Sequence, residues 1–135
     1  NAVYDLDTTR RAADYQAAAS QLLARQKRRA LVIVISNLRD EDDETLLTAV
    51  NRISRHHRVL VASLREEALD QLRQAPVQTL PEALAYSGTI DYLNTRNELH
   101  DRLCAQGLSL LDTLPSELGP ALVTRYLGWK KAGVL

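Results

Sequence analysis

The sequence predicts an α/β fold: a Rossmann-like, three-layer arrangement with about three parallel strands flanked by helices. Two observations carry this. Segments of helical and strand character alternate strictly along the chain, and alternation of that kind implies a parallel sheet with right-handed crossovers. The run Ala30-Leu31-Val32-Ile33-Val34-Ile35 is continuously apolar and rich in β-branched residues, the pattern of a strand covered by helices on both faces. A chain of 135 residues with 45% hydrophobic content is the size of one domain, so residues 1–135 are read as a single unit.

Taken in order, Asn1 to Ala13 has no clear period and forms a lead-in. Asp14 can cap a helix, because its carboxylate accepts from backbone N–H groups of the first turn. Tyr15, Ala19, Leu22 and Leu23 then share one helical face. The cations Arg25, Lys27, Arg28 and Arg29 follow, and cations suit a helix C-terminus. The apolar strand comes next, and Ser36 to Asp43 is a polar loop. Leu46, Leu47, Val50 and Ile53 form the stripe of a second helix. Arg58 to Ser63 is a second strand, and Leu64 to Gln74 a loop with a short helix, closed by Pro76. Pro81 fits the first position of a long helix running from Glu82 to Ala105, with Gly88 as a break. Its stripe is Tyr92, Arg96, Leu99 and Leu103, and Gly107 is its C-terminal cap. Leu108 to Asp112 is a third strand. Ser116 can cap a last helix with the stripe Leu118, Leu122, Tyr126 and Trp129.

Composition excludes several classes of function. Lysine plus arginine equals aspartate plus glutamate at 17 each, so no global basic excess attracts nucleic acid or an anionic membrane. One cysteine excludes an internal disulfide and a cysteine-built zinc site. The apolar runs are too short to span a bilayer, and the polar N-terminus is not a signal peptide. No Gly-rich phosphate loop and no G-x-S-x-G elbow occurs. Cytoplasm is the expected location.

In an open α/β sheet, ligands gather beyond the carboxyl ends of the strands. The first such place is Ser36, Asn37, Arg39 and Asp40, the most polar and the expected partner-binding edge. The second is Ser63, Arg65 and Glu66; the third is Asp112 and Thr113. The acidic run Asp40 to Glu44 lacks the alternating ligands and turn glycine of a calcium loop; the helix dipole alone accounts for it. His56 and His57 point to opposite sides in an extended segment and are read as packed or hydrogen-bonded. His100 and its neighbour Asp101 do not face each other on a helix. Cys104 follows Leu103 and is read as a small buried residue. No catalytic constellation, metal site or cofactor is expected.

The order and spacing of Asp14-Tyr15, Arg28-Arg29-Ala30-Leu31-Val32, Ser36-Asn37-Leu38, His57-Arg58-Val59 and Tyr126-Leu127 with Lys130 resembles the C-terminal half of bacterial proteins of domain of unknown function 58. That family is similar to von Willebrand factor A domains. The resemblance covers nearly the whole chain and implies a partial von Willebrand A sheet. Such domains usually carry a metal-ion-dependent adhesion site, built from an Asp-x-Ser-x-Ser loop, a distant Thr and an Asp after a later strand. Where the family has Thr-Asp-Leu, this chain has Ser36-Asn37-Leu38. Asn37 keeps an oxygen but loses the charge that a hard cation favours, and Asp-x-Ser-x-Ser does not occur. The expected site is therefore degenerate and binds no magnesium.

Family members are often encoded beside MoxR-type AAA+ ATPases and often have membrane helices near the N-terminus. The resemblance thus implies a non-enzymatic adaptor, cytoplasmic or the cytoplasmic part of a membrane-anchored protein. In the larger domain, the strand equivalent to Leu31–Ile35 lies beside another strand. Without that neighbour it becomes an apolar edge, a template for pairing, so a homodimer is expected. The alternative is a small hydrolase or phosphoryl-handling enzyme using the carboxyl edge, with Asp40 or Asp112 as acid or base. A third reading, nucleic-acid binding through Arg25 to Arg29, has only that cluster behind it.

Overall fold

The computed structural model describes residues 12–39 and 43–135. Within them the chain forms α1 (Tyr15–Arg25), β1 (Leu31–Ser36), α2 (Asp43–Ser54), β2 (Arg58–Leu64), α3 (Glu67–Gln74), α4 (Leu80–Ala105), β3 (Leu110–Thr113), a 3-10 turn (Pro115–Glu117) and α5 (Leu118–Lys131). The three strands are parallel in the order β1-β2-β3.

That order determines the layers. Both crossovers move the same way across the sheet, so right-handed connections place α2 and α4 on one face. α1 packs beside α2 there. Val32, Val34, Val59, Val61 and Leu110 present one side of the sheet to Ala19, Leu46, Val50, Ile53, Leu99 and Leu103. The opposite face carries α5, whose Trp129 ring lies 4.8 Å from the Arg58 guanidinium carbon.

Central β2 is buried along its length, with Val61 and Ala62 at 0% exposure. Each large side chain buried this way contributes about 1.5–3 kcal/mol. β1 is an edge, and here the expectation of burial on both faces fails. Val32 and Val34 face the core, but Ile33 and Ile35 are 38% and 52% exposed. The run is apolar on both sides, yet only one side is covered.

Local signals explain most boundaries. The Asp14 carboxylate accepts from the Ala17 N–H at 2.9 Å. Thr79 and Glu82 form a reciprocal capping box at the start of α4, which places Leu80 first and Pro81 second in the helix. Gly107 ends α4 with a φ of +92°, a left-handed geometry that favours glycine.

Other expectations need correction. α4 runs through Gly88 without a break. β3 begins at Leu110, and Leu108 is a buried core residue ahead of it. Ser116 lies in the 3-10 turn, and no side chain caps α5. Cys104 is exposed rather than buried, because Leu103 takes the inward position. Tyr92 and Tyr126 are also exposed, at 46% and 41%. Among the described residues, no helix is long and apolar enough to cross a membrane.

Candidate functional site

The carboxyl ends of the strands carry two layers of polar residues, one exposed and one buried. The exposed layer starts in the loop after β1. Leu38 is 3% exposed and anchors that loop, while Asn37 and Arg39 on either side face outward. Asn37, Arg39, Glu66, Leu69 and Tyr92 line an open cavity of about 300 Å³. A smaller cavity of about 120 Å³ adjoins it, lined by Leu38, Arg39, Tyr92, Thr95, Arg96 and Leu99. Of the expected edge residues, the structure thus brings Asn37 and Arg39 together on one cavity. Ser36 is half-buried instead, and its hydroxyl shares a 2.9 Å hydrogen bond with the Tyr15 hydroxyl. Asp40 lies outside the described residues.

Beneath this layer, Ser63 and Arg65 of the second expected group and Asp112 of the third join a single network, while Glu66 lines the outer cavity and the buried Thr113 hydroxyl donates to the Leu114 carbonyl. Arg96 on α4 is 4% exposed. Its guanidinium donates to Asp112 Oδ1 at 2.8 Å and to Ser63 Oγ at 2.8 Å. Ser63 is fully buried at the end of β2 and lies 3.0 Å from His100 Nε2. Arg96 has only N–H donors, so Ser63 accepts from it and has its own proton free for His100. Ser63 then donates to His100 Nε2 or accepts from it, according to the tautomer of the ring. Its Nδ1 faces Asp112 Oδ2 at 3.8 Å. Arg65 joins from the other side, donating to Asp70 at 3.1 Å and to Asp112 at 3.4 Å.

Burial pushes the His100 pKa below its ordinary value, and the Arg96 charge adds to this; Asp112 and Asp101 oppose it. Low local polarity strengthens every bond in such a cluster. It also makes an uncompensated Arg96 costly, so Asp112 and Ser63 are required by the arginine as much as they hold it.

The order Ser63, His100, Asp112 matches a nucleophile, base and orienting acid. The surroundings differ from those of a nucleophilic serine. Ser63 Oγ is engaged on both sides and has no exposed surface. Asp112 lines neither cavity near Asn37. Among the described residues, no group of three His, Cys, Asp or Glu side chains converges to hold a metal ion.

Three participants had no assigned role in the sequence reading: Tyr92, Arg96 and His100. Arg96 did leave a signal, a charge inside an otherwise apolar helical stripe, which demands a buried partner. His100 lies one turn further along the same helix. The expectation of a packed or hydrogen-bonded ring holds for His57 and not for His56. His57 is 4% exposed, and its Nδ1 accepts from the Ala30 N–H at 3.2 Å; His56 is exposed.

Comparison with protein-family models, with characterised proteins and with solved structures finds no match for this chain.

Proposed function

We propose that this chain is a non-enzymatic protein-interaction module, von Willebrand factor A-like with a degenerate metal site, that docks a protein partner on its carboxyl edge. The observation that carries this reading is the division of labour at that edge. The buried polar groups satisfy one another, with Ser63 held between Arg96 and His100. The outer layer presents Asn37, Arg39 and Tyr92 around a shallow cavity. An exposed tyrosine beside an arginine is the kind of pair that anchors protein interfaces. The resemblance to the domain of unknown function 58 family names the partner class, a MoxR-type AAA+ ATPase, and a cytoplasmic setting. Self-association through the β1 edge belongs to the same reading.

The test is co-purification from the producing cell. The double substitution Asn37→Ala with Arg39→Ala is expected to remove the co-purifying protein while the far-ultraviolet circular dichroism stays unchanged. An identical set of bound proteins overturns the proposed location.

One observation favours a second reading, a small hydrolase: the Ser63, His100, Asp112 order. A fluorophosphonate probe separates the two. The interaction module predicts no labelling, whereas a hydrolase predicts labelling that Ser63→Ala abolishes.

A further inference from the structure

At the opposite end of the sheet, before the strands begin, lies a second polar cavity of about 210 Å³. Its lining includes Arg29, Asn51, Ser54, His57, Arg58 and Ser109, and no carboxylate. Nearly all of these are hydrogen-bond donors at their tips. They come from four places in the chain: the loop before β1, the end of α2, the start of β2 and the loop before β3.

Among the described residues, two of these side chains hold a buried donor atom without a hydrogen-bond partner. Neither Arg29 nor Arg58 has a carboxylate within ion-pair distance among the described residues. The Arg58 guanidinium lies over the Trp129 ring, and among the described residues its buried Nε has no hydrogen-bond partner. His57 is the second of the two. Its Nδ1 accepts from the Ala30 N–H, so the proton of the neutral ring sits on Nε2. That Nε2 is also buried and unpartnered. An unsatisfied buried donor is costly, and here it belongs to a ring in the wall of a cavity that the exposed Arg29 also lines.

We propose that this cavity binds a tetrahedral oxyanion of the phosphate class, either free orthophosphate or the phosphate group of a small monoester. Guanidinium groups match phosphate oxygens in pairs. Donors arriving from several directions suit an anion with oxygens on all sides better than a planar carboxylate. The C-terminal ends of α2 and α4 also approach this cavity, through Ser54 and Gly107, and their dipoles disfavour an anion. Arg29 offsets that unfavourable field, and absence of phosphate binding would assign it to neutralising the helix ends alone.

The experiment is a titration of the ¹⁵N-labelled 135-residue chain, followed by amide shifts at Ala30, His57 and Ser109. Orthophosphate, ribose 5-phosphate and acetate are compared at constant ionic strength balanced with chloride. Saturable shifts with a phosphate probe, and weaker ones with acetate, are expected. Tighter binding of ribose 5-phosphate identifies a monoester as the ligand, and tighter binding of orthophosphate the free ion. Arg29→Gln, at an exposed side chain, is expected to weaken phosphate binding about tenfold with unchanged thermal unfolding. Asn51→Asp, which adds a like charge, is expected to abolish it. The proposal is overturned by absent or unsaturable shifts, by equal affinity for acetate, or by an Arg29→Gln variant that loses stability but keeps its affinity.

Discussion

Arg96 is the residue on which the carboxyl edge depends. Its side chain is 3% exposed and bridges Ser63 on β2 to Asp112 on β3, so a helix is bonded to the ends of two strands. Arg96→Met fills similar space but strips Asp112 and Ser63 of their buried donor. Leaving the buried Ser63 hydroxyl without that donor, and the partly exposed Asp112 with Arg65 alone, costs about 1–3 kcal/mol, measurable as a shift in the urea midpoint at constant slope. Little or no shift would mean that Arg65 alone satisfies Asp112. His100 gives a pH dependence whose sign follows from its lowered pKa. The unfolded chain takes up a proton near the ordinary value of about 6.5, while the native ring resists it. Native stability is therefore complete above that value and declines as the pH falls through it. Denaturation of wild type and His100→Asn across this range should show a shallower acid decline in the variant; parallel curves would refute the assignment. Little of this network was legible in the sequence. Ser63 and Asp112 stood out because they end strands, but their connection runs through two residues of a helix 33 and 37 positions from Ser63, and only folding supplies that proximity.

β1 is the element whose environment differs most from its composition. Alternation of elements, a β-branched run, the cap at Asp14 and the glycine at 107 suffice to give the order of helices and strands, because those signals are local. Coverage is not local. Whether both faces of β1 are buried depends on where the other helices lie, and three of them share one face. Thus Ile33 and Ile35 remain exposed at the sheet edge even though Leu60 and Ala62, their partners in register on β2, are buried. The free backbone of an edge strand together with this apolar strip favours pairing with a second copy. The self-association proposed above therefore predicts that light scattering detects a dimer that dissociates on dilution. Ile35→Lys, a charge on the edge, should yield a monomer with a preserved fold; a wild type that stays monomeric at high concentration would remove the idea.

For the whole molecule, the parallel sheet has two polar ends of different character. At the carboxyl ends the buried groups are paired with each other, and exposed residues surround a shallow cavity; at the amino ends, His57 Nε2 and Arg58 Nε are buried without a partner among the described residues. The first arrangement suits the docking of a protein and the second the capture of a small anion. The central claim is that a protein partner sits on the carboxyl edge, and site-specific photocrosslinking in the producing cell tests it most directly. A photoreactive residue replaces Tyr92, exposed on the cavity wall, and in a separate variant Lys131 at the far end of α5. The account predicts a discrete crosslinked heterocomplex from position 92 and none from position 131; crosslinks from position 131 alone, or no heterocomplex from position 92, would contradict it.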